Sequence, residues 1–174
     1  ASEFEAGLWI LDGGDCQVGI ESAIVDCSRD RAVLLRPGTL TRERIEAALG
    51  GEPLEAPDAA APRASGTLEA HYAPRAKVRM MNPAQLRAAL AVLGPQATGT
   101  SPPVAVYSRT AGPLPAGVPG RVMPADADAA AQALFATLRE LDATGAPLIW
   151  IEHPPAEPAW EGVRDRLQRA ATAG

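Results

Sequence analysis

The 174-residue chain has 47% hydrophobic residues, 16 Lys and Arg against 21 Asp and Glu, and a formal net charge of −5. That apolar share supports a packed core and excludes a disordered chain, and the length has room for one ordinary domain or two small ones. The acidic balance argues against a broad nucleic-acid footprint but leaves a single nucleotide open, since a nucleotide needs only one or two placed cations.

Cys16 and Cys27 are too few for a disulfide framework and lack metal-type spacing, so both are expected as reduced, semi-buried small hydrophobes and no metal site is expected. No apolar run approaches the roughly 18 residues of a membrane span, and no signal peptide opens the sequence. A cytoplasmic protein without membrane contact is the expectation.

In chain order, Gly7–Leu11 reads as a strand and Asp12–Asp15 as turn chemistry. Two β-rich runs follow, Ile20–Asp26 and Ala32–Arg36, joined by a polar turn at Ser28–Arg31. Thr41 caps a short helix over Arg42–Leu49, with Ile45, Ala48 and Leu49 on one face and Gly50-Gly51 closing it. Fifty residues without a disulfide or metal bury too little surface to offset chain entropy, so 1–50 reads as the end of a larger domain in preference to a small appendage packed on the second one.

Residues 51–76 lack periodicity and read as a tether, spaced by Pro53, Pro57 and Pro62. His71 and Tyr72 stand side by side in its second half, where tyrosine offers a flat apolar face and a hydroxyl. From Lys77 strand and helix alternate. A strand over Val78–Met80 leads into a helix capped by Asn82 and opened by Pro83, with Leu86, Leu90 and Leu93 inward. Strands are expected at Val104–Tyr107, Arg121–Met123 and Leu148–Glu152. A long helix begins at Asp126 or Asp128 with a stripe of Ala131, Leu134, Phe135, Leu138 and Leu141, and ends at Gly145. A last helix covers Trp160–Ala171 with Val163, Leu167 and Ala170 inward, its Arg164–Arg169 run forming a solvated face paired to Glu161 and Asp165. The pattern for 77–174 is a small, Rossmann-like parallel α/β domain. It carries neither a Gly-x-Gly-x-x-Gly loop nor a phosphate-binding Gly-x-x-x-x-Gly-Lys-Ser/Thr loop.

Two polar side chains stand out in the paired strands. Strand alternation places Ser22 on one face with Ile20 and Ile24, where its hydroxyl needs a partner, either a neighbouring backbone group or a ligand. Arg36 ends the second strand, placed for an anion or for an ion pair with Glu21 or Asp26. A hydroxyl and a guanidinium on neighbouring strands suit a small anionic or amino-acid ligand. His71, His153, Asp12 and Asp15 read as structural residues of the linker and turns.

Three motifs in matching order carry a resemblance. Asp12-Gly-Gly-Asp-Cys-Gln-Val-Gly-Ile-Glu-Ser22 followed by Leu35-Arg-Pro-Gly38 resembles the closing third of the YrdC-like catalytic domain. Ser65-Gly-Thr-Leu-Glu-Ala-His-Tyr-Ala-Pro74 is similar to the interdomain linker of that family's two-domain members. Met123-Pro-Ala-Asp126, Leu138-Arg-Glu-Leu-Asp142 and Asp165-Arg-Leu-Gln-Arg-Ala-Ala171 resemble their C-terminal Rossmann-like domain. The resemblance implies an α/β chain in three parts: 1–50 from a YrdC-like domain, 51–76 the linker, and 77–174 the Rossmann-like domain.

It also implies a threonylcarbamoyl-AMP synthase, a nucleotidyltransferase that condenses L-threonine, bicarbonate and ATP, with Mg²⁺, and releases pyrophosphate. Other proteins then pass the threonylcarbamoyl group to tRNA. By matching position, Ser22 would contact L-threonine, while Arg36 and, from the linker, Tyr72 would contact ATP. Ala23 stands where the family has threonine, and the family's N-terminal Lys-x-Arg motif and its Ser-Ala-Asn segment have no counterpart ahead of the Ser22 stretch. The chain is therefore expected to be a C-terminal fragment that is inactive alone. The alternatives are a non-catalytic regulatory or docking module for a partner protein, tRNA or nucleotide, and a stand-alone nucleotide-binding domain, against which the missing glycine loop counts.

Overall fold

The computed structural model describes residues 9, 11–14, 16–62, 64, 73–93 and 102–172. The expected roles of Asp15, His71 and Tyr72 fall outside them.

Four strands form one parallel sheet: β3 (Lys77–Met81), β4 (Ala105–Ser108), β5 (Gly120–Val122) and β6 (Leu148–Glu152). Their spatial order is β3-β6-β4-β5, with Val78 opposite Ile149 and Val106 opposite Trp150. The helices follow from their punctuation. Asn82 and Gln85 exchange side-chain-to-backbone hydrogen bonds of 2.8 and 3.0 Å, a capping box that starts α2 (Pro83–Leu93). The Asp126 carboxylate accepts from the Ala129 amide at 2.9 Å and starts α3 (Ala127–Asp142). A 3₁₀ turn, Pro158–Trp160, leads into α4 (Glu161–Thr172).

Strand alternation divides the core between two layers. Val78, Ala105, Tyr107, Ile149 and Ile151 face α3 and α4, against Leu134, Leu138, Leu141, Val163 and Leu167. Met81, Val104 and Val106 face α2, against Leu86 and Leu90. The α/β architecture expected for the second half is the one observed.

Ahead of it, β1 (Ile24–Asp26) and β2 (Val33–Arg36) pair antiparallel in a separate two-stranded sheet, followed by α1 (Arg42–Ala48). Four expectations change here. Trp9 and Leu11, the described members of the first expected strand, lie outside any strand and are exposed. The run expected from Ile20 becomes a strand only at Ile24, because Ile20 is buried in the core with α3 and α4 and Glu21 is paired to Arg166 of α4. The face of α1 expected to pack buries nothing fully, and Ala48 and Leu49 are exposed. Cys16 and Cys27 are likewise exposed thiols rather than semi-buried ones.

Candidate functional site

The stretch from Gly19 to Gly38 meets the larger sheet domain through Ile20, the Glu21 ion pair, the Pro37 carbonyl and the Gly38 backbone. Ile20 is buried in the core beneath α3 and α4. The next residue, Glu21, accepts a 2.9 Å hydrogen bond from Arg166 Nε of α4. Arg166 Nη1 donates to the Pro37 carbonyl at 3.1 Å and to Asp165 Oδ2 at 2.7 Å. Asp165 is fixed in turn by Arg169, through Nε and Nη2 at 2.9 Å each.

Within the stretch, Arg36 donates from Nε and Nη2 to the Ser22 carbonyl, at 3.2 and 3.0 Å. Arg36 is buried and Ser22 exposed. Ser22 therefore does not share a buried face with Ile20 and Ile24 as strand alternation implies. Its carbonyl is locked from beneath and its side chain stands at the surface. The structure thus brings together two of the three candidate residues, through Arg36 and the Ser22 backbone. A Cβ on Gly38 would lie 2.3 Å from the Ala23 nitrogen, and one on Gly162 would lie 2.8 Å from the Gly38 carbonyl oxygen. Only glycine lets these three segments meet.

Burial alone would push the Glu21 carboxyl up. Its own backbone N–H, the Arg166 guanidinium and Arg36 together outweigh that and hold it below the ordinary value. Glu21 is thus an anion between two cations, next to Ser22. Cavities of about 610 and 520 Å³ flank the stretch, the first lined by Glu21 and the second by Pro37. Neither is lined by Ser22 or Arg36.

Arg166 is the residue that the sequence reading misplaces. Instead of standing on a solvated face, it is 6% exposed. The helical spacing carries the signal, because position 166 is three after Val163 and four before Ala170, both inward. Arg164 is also held by the backbone, donating to the Pro155 and Glu157 carbonyls.

A fully buried acidic side chain, Glu152, ends β6 at the carboxyl end of the sheet, beside the end of β4. It accepts from the Arg109 and Thr110 amides at 3.0 and 2.8 Å and from the Thr110 hydroxyl at 3.1 Å. Open α/β sheets commonly receive ligands in the crevice at this end. Here the protein's own carboxylate takes the two backbone donors, which counts against a phosphate at that point. His153 is exposed, its amide bonded to the Met81 carbonyl at 2.8 Å, consistent with a structural turn. Asp12 accepts from the Gly14 amide at 2.9 Å, as a turn former does. Among the described residues, no group of three or more His, Cys, Asp or Glu is placed to hold a metal ion, and no helix is long and apolar enough to cross a membrane.

Fold and seam together define a Rossmann-like parallel α/β domain carrying a two-stranded flanking sheet. Residues 40–172 match the family described as the C-terminal domain of threonylcarbamoyl-AMP synthase. The chain is 30% identical over 168 residues to threonylcarbamoyl-AMP synthase of Bacillus subtilis (strain 168), covering 93% of this chain and 48% of that protein. It is 39% identical over 75 residues to the synthase of Pyrococcus abyssi (strain GE5 / Orsay), covering 40% of this chain and 22% of that one. The crystal structure of P. abyssi Sua5 complexed with L-threonine superposes with a TM-score of 0.75 at 27% identity, over 93% of this chain and 48% of that one. A double-alanine variant of the P. abyssi protein gives 0.72 at 26% identity, with the same coverage. The chain belongs to the threonylcarbamoyl-AMP synthase C-terminal domain family, and it spans about half the length of its B. subtilis relative.

Proposed function

We propose that this chain is part of an L-threonylcarbamoyladenylate synthase, which condenses L-threonine, bicarbonate and ATP to threonylcarbamoyl-AMP and pyrophosphate. The adenylate would serve the downstream proteins that modify tRNA. The observation that carries the reading is the locked pair of Arg36 and the Ser22 carbonyl, at 3.2 and 3.0 Å, in a chain of this family. A relative's structure holds L-threonine. In this chain Ser22 is assigned to L-threonine, its exposed side chain on a fixed backbone suiting a small polar ligand. Arg36 and Tyr72 are assigned to ATP, with residues 51–76 as the linker between 1–50 and 77–174. Arg36 also has a structural task, cross-linking the two edges of the site. Since no acidic cluster among the described residues fits a resident ion, Mg²⁺ would arrive with the triphosphate as part of the substrate.

The family's N-terminal Lys-x-Arg motif and its Ser-Ala-Asn segment have no counterpart ahead of the Ser22 stretch, so the 174-residue chain by itself is expected to form no adenylate. Pyrophosphate release tests both statements. The full-length protein should release it only when L-threonine, bicarbonate and ATP are all present, and the isolated chain should stay at background. Release by the full-length protein without threonine would refute the substrate assignment.

The docking-module alternative has one observation in its favour, an apolar groove of about 420 Å³ lined by Ala88, Ala89, Val92, Leu93 and Trp150. Val92→Asp would leave synthesis intact and abolish partner capture under that reading.

A further inference from the structure

We propose that Arg166 is a positioning residue for the L-threonine site, through which the last helix of the C-terminal domain sets the geometry of the Ser22 stretch. This rests on the assignment of Ser22 to threonine made above. Arg166 acts on the chain neighbours of Ser22 and Arg36. It holds the residue before the first, Glu21, and the residue after the second, Pro37, with Nε and Nη1 of one planar guanidinium. Arg36 closes the frame by donating to the Ser22 carbonyl. The two anchors and that cross-link fix the carbonyl direction at Ser22, and so the direction in which its hydroxyl leaves the backbone.

The orientation of Arg166 is itself determined. Asp165 binds Nη1, and Arg169 grips Asp165 with two bonds, so the guanidinium plane cannot turn without breaking the set. A buried ion pair is a poor device for stability alone, because desolvation offsets most of its attraction. Arg166 is 5% exposed at the side chain and Glu21 27%. Its Nη2 is buried with no hydrogen-bond partner among the described residues, a cost that a merely stabilising residue would not be expected to carry. A planar fork holding two points at fixed separation suits orientation, which a lysine point charge cannot reproduce.

The test uses the full-length protein, with L-threonine affinity by titration calorimetry and steady-state kinetics for Arg166→Met, Arg166→Lys and Ser22→Ala. Arg166→Met should raise the Kd and KM for L-threonine about tenfold or more while kcat changes by less than about threefold, the pattern of lost ground-state positioning. Arg166→Lys should recover about half of that loss on a logarithmic scale, since it restores the charge at Glu21 but only one anchor. A structural role would instead lower the folded fraction and leave the KM of the remaining enzyme unchanged. That result, with Ser22→Ala still weakening threonine, would overturn the inference and leave the assignment standing. If Ser22→Ala leaves threonine affinity untouched, the assignment falls and the inference with it. Should Arg166→Met fail to fold, Glu21→Gln decides: a raised threonine Kd supports the proposal, and an unchanged one overturns it.

Discussion

Arg166 and Glu21 are 145 residues apart in sequence and 2.9 Å apart in space, and their ion pair joins the last helix to the stretch that carries Ser22. The Glu21 carboxyl lies below its ordinary value of 4.5, held there against burial by its backbone N–H, Arg166 and Arg36. A carboxyl depressed on folding contributes stability that is present above the unfolded pKa and lost as pH falls through the lower folded value. Glu21→Gln should therefore flatten the acid limb of a melting-temperature profile below about pH 4.5. An unchanged acid limb would show that the pair contributes nothing to the fold.

Gly162 is where α4 meets the Pro37–Gly38 corner. A Cβ there would approach Ile20 Cδ1 to 2.6 Å and the Gly38 carbonyl oxygen to 2.8 Å. The isoleucine tip can move but the backbone oxygen cannot. Gly162→Ala should destabilise the protein by about 1–3 kcal/mol, the usual cost of overpacking, despite alanine's better helix propensity. Chemical denaturation checks this, and a stabilised variant would contradict the close approach.

Tyr107 is fully buried beneath α3. Burial pushes its hydroxyl up to about 12, against the opposing pull of the nearby Thr137 hydroxyl, with which it makes no hydrogen bond of regular geometry. The folded value is raised above the ordinary 10, so this contribution is complete below pH 10 and is lost as pH rises from about 10 towards 12. Tyr107→Phe should remove that alkaline loss, roughly 1–3 kcal/mol, and change stability little near neutrality. Equilibrium unfolding at pH 7 and pH 11 distinguishes the two.

Glu152 is worth more to the fold than its charge suggests. Truncation by Glu152→Ala leaves two amides and a hydroxyl without their acceptor, at a cost on the order of 2–4 kcal/mol. Glu152→Gln keeps one carbonyl oxygen and should cost about half as much. Equal losses in urea denaturation would indicate that the carboxylate is not the acceptor.

Much of the C-terminal half could be read from residue order. The Asn82-Pro83 start of α2, the start of α3 at Asp126 or Asp128, the Leu134, Leu138 and Leu141 stripe and the Leu148–Glu152 strand all rest on local spacing and capping chemistry. What local pattern could not disclose was distant packing. Ile20 alternates as a strand residue should, yet the core beneath α3 and α4 claims it, so β1 starts late. Arg166 looks like one more charge in a basic run until Glu21 and Pro37 arrive from the far end of the chain. Ser22 and Arg36 stood out in sequence as unneeded polar side chains. The bond between Arg36 and the Ser22 carbonyl, rather than two side chains facing a common ligand, depends on the 14-residue separation closing in three dimensions.

Full-length protein supplied with ¹³C-labelled bicarbonate, L-threonine, ATP and Mg²⁺, followed by mass spectrometry of the adenylate fraction, tests the synthase assignment most directly. The expected product is threonylcarbamoyl-AMP carrying the label, lost when any one substrate is omitted and strongly reduced in Ser22→Ala. An adenylate fraction without labelled product, from a folded protein given all three substrates, would contradict the assignment.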